Sequence, residues 1–217
     1  MMITFKEVTK RYPGGFEALA QVDFAVQKGE MVFLTGHSGA GKSTLLKLVA
    51  GLEAPTSGEI EVNGVSLKQL KKGDIPAFRS GLGITFQSPT LLNDRSVFDN
   101  VALPLHIQGL LPHVIQKRVS TVLDMVGLLS KQKLCPMHLS QGEQQRVGIA
   151  RAVVHKPALL LADEPTGNLD PSMSADVMKL FAQFNQAGVS VIVATHDLAL
   201  IAGMRHRIVM LKGGRLC

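Results

Sequence analysis

The residues with the clearest chemical meaning lie at positions 36–43. Gly36-His37-Ser38-Gly39-Ala40-Gly41-Lys42-Ser43 fits G-x-x-x-x-G-K-[ST] at each fixed position. An apolar run, Met31 to Leu34, precedes it, and Lys42 to Ala50 reads as a helix closed by Gly51. Strand, glycine-rich turn and helix are the context the motif needs. Glycines let the backbone wrap close to phosphate, and successive N–H groups with the helix N-terminus supply positive potential. Lys42 then reaches the β- and γ-phosphates, Ser43 ligates Mg²⁺, and Thr44 adds a hydroxyl near the α-phosphate. The motif predicts a nucleoside triphosphate and leaves kinase, GTPase and transport ATPase open.

Two further sites carry chemistry. Leu159-Leu160-Leu161-Ala162-Asp163-Glu164 reads as a buried strand ending in two carboxylates. Alternation along a strand points neighbours to opposite faces, so the two acids have different work. Asp163 suits the Mg²⁺ shell, and Glu164 is then left to polarise an attacking water as general base. Two acids at a strand end are often only a solvated loop start; behind a phosphate loop the chemical reading gains weight. Leu139-Ser140-Gln141-Gly142-Glu143-Gln144-Gln145-Arg146 has the pattern of a helix start, with Ser140 as N-cap and Glu143 as its capping-box partner. Such an end is also an anion site.

The elements that must position these residues are legible as runs. Ile3 to Val8, Ala18 to Val26 and Met31 to Leu34 read as strands, and Gly58 to Gly64 as another with a turn after it. From Ser88 to Leu134 strand runs vanish, and Val114 to Leu123 has helical spacing, which predicts an inserted helical lobe. Dense apolar runs at Ala158–Ala162 and Val189–Thr195 then suit buried parallel strands. Ile208–Leu211, Gly213-Gly214 and Arg215-Leu216 resemble a final hairpin. The sum is a three-layer α/β core, β-rich at the front, with a helical lobe in the middle.

Composition sets bounds. The 217 residues suffice for one large domain, and 46% hydrophobic with 18% charged residues is ordinary for a globular chain. A net charge of +6 suits nucleic acid, an anionic membrane face or a polyphosphate ligand. No apolar run approaches the roughly 18 residues of a membrane helix, and the start lacks a signal peptide's apolar centre. Cys135 and Cys217 are far apart without metal-type spacing, so a reduced cytoplasmic setting is expected.

Together these residues resemble the ABC ATPase superfamily, whose signature reads Leu-Ser-Gly-Gly-Gln. This chain keeps Ser140 and Gly142 and departs at Gln141 and Glu143. The resemblance covers nearly the whole chain and implies ATP as the nucleotide, with Mg²⁺. It implies a P-loop NTPase (RecA-like) core with an N-terminal antiparallel β-subdomain and an inserted α-helical subdomain. Residues 1–217 then form one domain, with 1–87 and 136–217 as core and 88–135 as lobe. Tyr12 sits where that family places an adenine-stacking aromatic. Gln87 matches the glutamine that touches Mg²⁺ or the water and couples to a partner. Asn168-Leu169-Asp170 matches the loop at the subunit contact, and His196 the histidine near the γ-phosphate. Lys42, Glu164 and His196 are thus the expected catalytic residues. Ser43, Gln87 and Asp163 are the expected metal residues. The rest of the nucleotide site is Tyr12, the loop Gly36 to Thr44, Gln87, Ser140, Gly142 and Asp170. The family also implies an ATP-dependent homodimer in which Ser140 and Gly142 of one copy complete the Lys42 site of the other.

Asp163-Glu164-Pro165-Thr166-Gly167-Asn168-Leu169-Asp170 is similar to the subgroup serving lipoprotein release, macrolide efflux and cell division. Asn93-Asp94-Arg95-Ser96-Val97-Phe98-Asp99-Asn100-Val101 looks most like its bacterial cell-division members. Those imply a peripheral subunit on the cytoplasmic side of the inner membrane. There it would work with an integral membrane partner and so activate cell-wall hydrolases. An energiser of a lipoprotein-releasing or macrolide- or peptide-exporting transporter is the alternative. DNA-maintenance relatives carry long coiled-coil insertions; the segment from Ser43 to Ser140 is short and lacks sustained heptads, so no nucleic-acid partner is expected.

Overall fold

The protein, described over residues 1–217 by a computed structural model, opens with an antiparallel hairpin. Strands β1 (Ile3–Arg11) and β2 (Glu17–Val26) are joined by a turn that needs left-handed backbone at Gly14 and Gly15. Next come β3 (Met31–Thr35), helix α1 (Lys42–Val49) and β4 (Ser57–Val62), which returns to pair with β1. Asn63-Gly64, both at positive φ, turns β4 into the short β5 (Val65–Ser66). After helix α2 (Ile75–Ser80) and β6 (Leu82–Thr85) the chain is helical: α3 (Val97–Ile107), α4 (Pro112–Met125) and α5 (Gln141–Val153). Then β7 (Leu159–Asp163), α6 (Pro171–Gln186), β8 (Ser190–Ala194) and α7 (Leu198–Ile201) alternate. The hairpin β9 (Arg207–Lys212) and β10 (Arg215–Leu216) follows, turning at Gly213-Gly214.

Two sheets result. The first is antiparallel, β2-β1-β4-β5. The second has the order β10-β9-β3-β8-β7-β6 and is parallel apart from β10. Strands β3 and β8 are buried along their whole length, as continuous apolar runs require. Alternation divides their side chains between two cores. Val32, Leu34 and Ile192 face α1 and the first sheet, while Phe33, Val191 and Val193 join α3 to α6. That second core runs unbroken from Leu105 and Val119 to Phe181, so α3 and α4 are packed on the same apolar mass as the main sheet. No helix is long and apolar enough to cross a membrane.

The expected strands are present within two residues at each end, apart from β1, which runs three residues past Val8, and the expected helix at Val114–Leu123 is the centre of α4. The short β5 and α2 had no clear periodicity to announce them. What matters for chemistry is the carboxyl edge of the parallel sheet. The loop at 36–43 leaves β3, Gln87 lies two residues beyond β6, Asp163 ends β7, and His196 lies two residues beyond β8. Such an edge is where open α/β sheets place their ligands.

Candidate functional site

The phosphate loop is shaped by its glycines. Gly36, Gly39 and Gly41 have φ of 148°, 78° and 108°. Two are also confined. A Cβ on Gly36 would stand 2.3 Å from the Leu211 carbonyl oxygen, and one on Gly41 2.4 Å from that of Ala18. Gly41 is the N-cap of α1 and offers no side-chain acceptor, so no side chain of the cap competes for the first N–H groups of that helix. Helix start and loop together present donors and positive potential to one point.

Lys42 is buried, 7% exposed, and turns back over the loop. Its ammonium donates to the carbonyls of Gly36 (2.7 Å) and His37 (3.2 Å) and lies 3.4 Å from Glu164 Oε1. The other oxygen of Glu164 accepts a bond of 2.8 Å from His196 Nδ1. A carboxylate can only accept, so Nδ1 carries the proton. Lys42, Glu164 and His196 thus form one chain of polar contacts across the loop.

Asp163 and Glu164 do not alternate as strand neighbours, because the strand ends between them. Glu164 has left-handed backbone, φ 47°, a conformation that costs a non-glycine residue about 1–3 kcal/mol. Its N–H donates to Ala194 O on β8, and its carbonyl accepts from Gly167 N. The turn brings the Glu164 carboxylate to Lys42. Asp163 stays beneath, at the foot of Ser43, with Oδ1 buried and unpartnered. Burial pushes the Asp163 carboxyl above its ordinary pKa; the Ser43 hydroxyl works against that, and the Glu164 charge adds to it. The Ser43 hydroxyl and the unpaired Asp163 carboxylate oxygen are hard donors of the kind a divalent cation takes. No cluster of three or more His, Cys, Asp or Glu able to hold a metal occurs in the chain. A Mg²⁺ ion here would therefore draw most of its ligands from phosphates and water.

The loop, Gln87, Glu164 and His196 line one cleft of about 550 Å³, closed on the far side by Phe16 and Ala18. Gln87 is exposed, and its amide reaches to within 3.0 Å of where a Cβ on Gly167 would stand. Tyr12 is half-buried beside Thr44, its hydroxyl 3.4 Å from Thr44 Oγ1 and 3.3 Å from Glu53 Oε1. Lys10 covers one face of its ring, 5.0 Å from the centroid, and pairs with Glu53. That pairing, against burial, holds the Glu53 carboxyl below its ordinary pKa. His37 is exposed, its ring tied to the Ser38 carbonyl, while Ala40 is buried behind the loop.

Ser140, Gly142 and Asp170 are absent from this cleft. Ser140 caps α5, accepting from Glu143 N at 3.3 Å while Glu143 Oε2 accepts from Ser140 N at 3.1 Å. Lys131 pairs with the same glutamate and lowers its pKa. Gln141 points to solvent. Gly142 is buried, and a Cβ there would fall on the Met173 methyl, 1.5 Å from Cε. Asp170 caps α6, accepting from Met173 N (3.0 Å) and Ser172 Oγ (2.7 Å), bonds that hold its carboxyl below the usual range. Sequence reasoning missed Phe16, a 58% exposed aromatic lining the same cleft as the phosphate loop. Its place in a glycine-rich hairpin turn was the available signal. Gln145, buried on α5, was missed as well.

Known proteins resemble this chain along nearly its whole length. A family model described as ABC transporter matches residues 19–167. The chain is 55% identical over 215 residues to the cell division ATP-binding protein FtsE of Escherichia coli strain K12, covering 99% of this chain and 97% of that one. To the protein of the same name in Bacillus subtilis it is 45% identical over 213 residues, 98% and 93% covered. A solved dimeric ATP-binding cassette in a post-hydrolysis state, bound to ADP and Pi, superposes with a TM-score of 0.91 at 34% identity, over 99% and 96% of the two chains. cbiO1 from Clostridium perfringens, part of an ABC transporter complex, gives 0.92 at 30% identity over 100% and 86%. With a matched model over most of its length and relatives across all of it, the chain belongs to the ABC transporter family of ATPases.

Proposed function

We propose that the chain is the ATP-hydrolysing subunit of a cell-division complex of the FtsE type. In this reading ATP-driven dimerisation acts on an FtsX-like integral membrane partner, and through it on cell-wall hydrolases. The observation that carries the cell-division reading is 55% identity along nearly the whole chain to a protein of that name. Export of a lipoprotein, macrolide or peptide is the competing reading, and the nucleotide site would serve it equally.

The chemistry follows from the residues in the cleft. The phosphate loop and Lys42 bind the triphosphate, and Tyr12 offers its ring to adenine. Ser43, Asp163 and Gln87 are the groups to hold Mg²⁺, which when bound neutralises phosphate charge. Lys42 must leave Glu164 as it turns to the phosphates, which frees that carboxylate to accept a proton from water. His196 keeps Glu164 oriented from the other side. Ser140 and Gly142 do not line their own cleft, and Ser140 is exposed, which supports a second copy as the place where this helix end acts. Loss of the γ-phosphate then releases the contact.

The helical segment 88–135 is the proposed dock for the membrane partner, placing the subunit on the cytoplasmic face of the inner membrane. Val97 and Val101 are core residues, while Leu92, Leu103 and Ile107 are exposed and Asp94 lies beside Leu92. Replacing Leu92 and Asp94 should weaken co-purification with the membrane partner and leave ATP binding intact; full co-purification would end the docking claim. Capture of an exporter subunit in place of an FtsX-like protein would favour the competing reading.

A further inference from the structure

Gln87 reaches the cleft without side-chain bonds of its own, so its position depends on what holds residues 86–90. Helix α5 lies along that segment. Gln145 Nε2 donates to the Phe86 carbonyl at 3.2 Å, from a side chain only 2% exposed. One turn on, Gly148 meets Pro89 so closely that a Cβ there would stand 2.8 Å from Pro89 Cβ. A further turn on, Arg151 Nη1 donates to the Thr90 carbonyl at 2.9 Å. Positions 145, 148 and 151 follow one ridge of the helix and meet 86, 89 and 90 in the same order. An apolar side chain would fill the place of Gln145 without burying an amide, a group that is costly inside a protein unless bonded. Arg151 likewise forms no ion pair, and the Thr90 carbonyl is its polar partner.

We propose that Gln145 and Arg151 are positioning residues for hydrolysis. They fix the backbone on both sides of Gln87 and so hold its amide at the phosphate cleft. This rests on the proposed role of Gln87 at Mg²⁺ or water. The helix concerned is the one that begins at Ser140, so the signature and the glutamine are set by a single rigid body. Nucleotide affinity depends instead on the phosphate loop and Tyr12.

The test uses the full chain, with ATP affinity measured by a fluorescent analogue without Mg²⁺ and hydrolysis in single turnover with Mg²⁺. Displacing a reacting group by about 1 Å can cost on the order of 10²-fold in rate. Gln145→Leu and Arg151→Met should each slow hydrolysis about tenfold or more, with affinity within about twofold. Arg151→Lys, which keeps a donor, should recover most of the rate. In a Gln87→Ala background, Gln145→Leu should add no further loss. An undiminished further loss there would overturn the proposal, because Gln145 would then act independently of Gln87. Full rate in Gln87→Ala would remove the role of that glutamine and the proposal with it. Slow Gln87→Ala beside full-rate Gln145→Leu and Arg151→Met would remove the positioning claim alone. Melting curves identify folded variants; should Gln145→Leu not fold, the Arg151 pair, at the partly exposed end, decides.

Discussion

The N-termini of α1 and α5 are both anion sites by helix electrostatics, yet they are finished differently. Helix α1 starts at a glycine with left-handed backbone and no capping side chain. Helix α5 starts with a complete capping box, tied further by Lys131. An uncapped end leaves its donors to a ligand; the box at α5 has satisfied the N–H groups of Ser140 and Glu143 and leaves those of Gln141 and Gly142. One end is therefore open to phosphate on its own, while the other has fewer donors left to add to phosphate held by something else.

The largest expected effects test the first end. Lys42→Ala should lose ATP binding as well as turnover, because the ammonium meets the phosphates in the ground state. Glu164→Gln should cost about 10²–10⁴-fold in hydrolysis while ATP still binds. The amide also weakens the contact that draws Lys42 off the phosphates, so this variant should accumulate as an ATP-bound dimer. Single-turnover hydrolysis, with sizing in ATP and Mg²⁺, checks both; near-normal turnover by Glu164→Gln would remove it as base. Gly41→Ala comes next. A methyl 2.4 Å from the Ala18 carbonyl on a left-handed residue should destabilise the fold by roughly 1–3 kcal/mol and abolish nucleotide binding, measured by melting and titration.

Ser140→Ala probes the second end and should do less. Loss of the cap costs about 1 kcal/mol of stability. ATP should bind the monomer with unchanged affinity, and only the ATP-induced dimer should disappear from sizing. Reduced affinity in the monomer would break the contrast between the two ends.

The smallest effect is in pH dependence, where the two regions have opposite signs. Glu143 has its pKa lowered on folding, so its contribution is present above the ordinary value of 4.5 and is lost as pH falls through the folded value. Asp163 has its pKa raised, so folding is penalised as pH rises through the ordinary 3.8 and on to the folded value. Glu143→Gln should flatten the acid limb of the stability curve. Asp163→Asn should raise the melting temperature at neutral pH while removing Mg²⁺-dependent hydrolysis. A lower melting temperature in Asp163→Asn would show that the carboxylate is already compensated.

Legibility differed between the same regions. The phosphate loop could be read because glycine positions and Lys42-Ser43 are local, and the strand and helix around them have strong periodicity. The strand ending in Asp163 was equally plain. The turn at Glu164 was not, since a left-handed glutamate is held by a bond to Ala194 on a distant strand and by one that closes a turn with Gly167. Alternation along β7 therefore does not fix where its carboxylate goes. Phe16 and Gln145 escaped for a related reason: each acquires meaning only from what lies opposite. The packing of Gly142 on Met173 joins residues 31 apart in sequence, and nothing local announces it.

The seam that confines the phosphate loop bears on how the chain comes to fold. Strand β3, from which the loop springs, has β8 and β9 as its two neighbours, and the Leu211 carbonyl closes against Gly36. On a ribosome, residues 36–43 are made early, but the strands that give them their shape are not available until residues 190–212 have emerged. Such long-range pairing is slow to form and leaves apolar strands waiting. Binding competence is thus a property gained last, and a nascent chain cannot hold ATP before its second sheet has closed around β3.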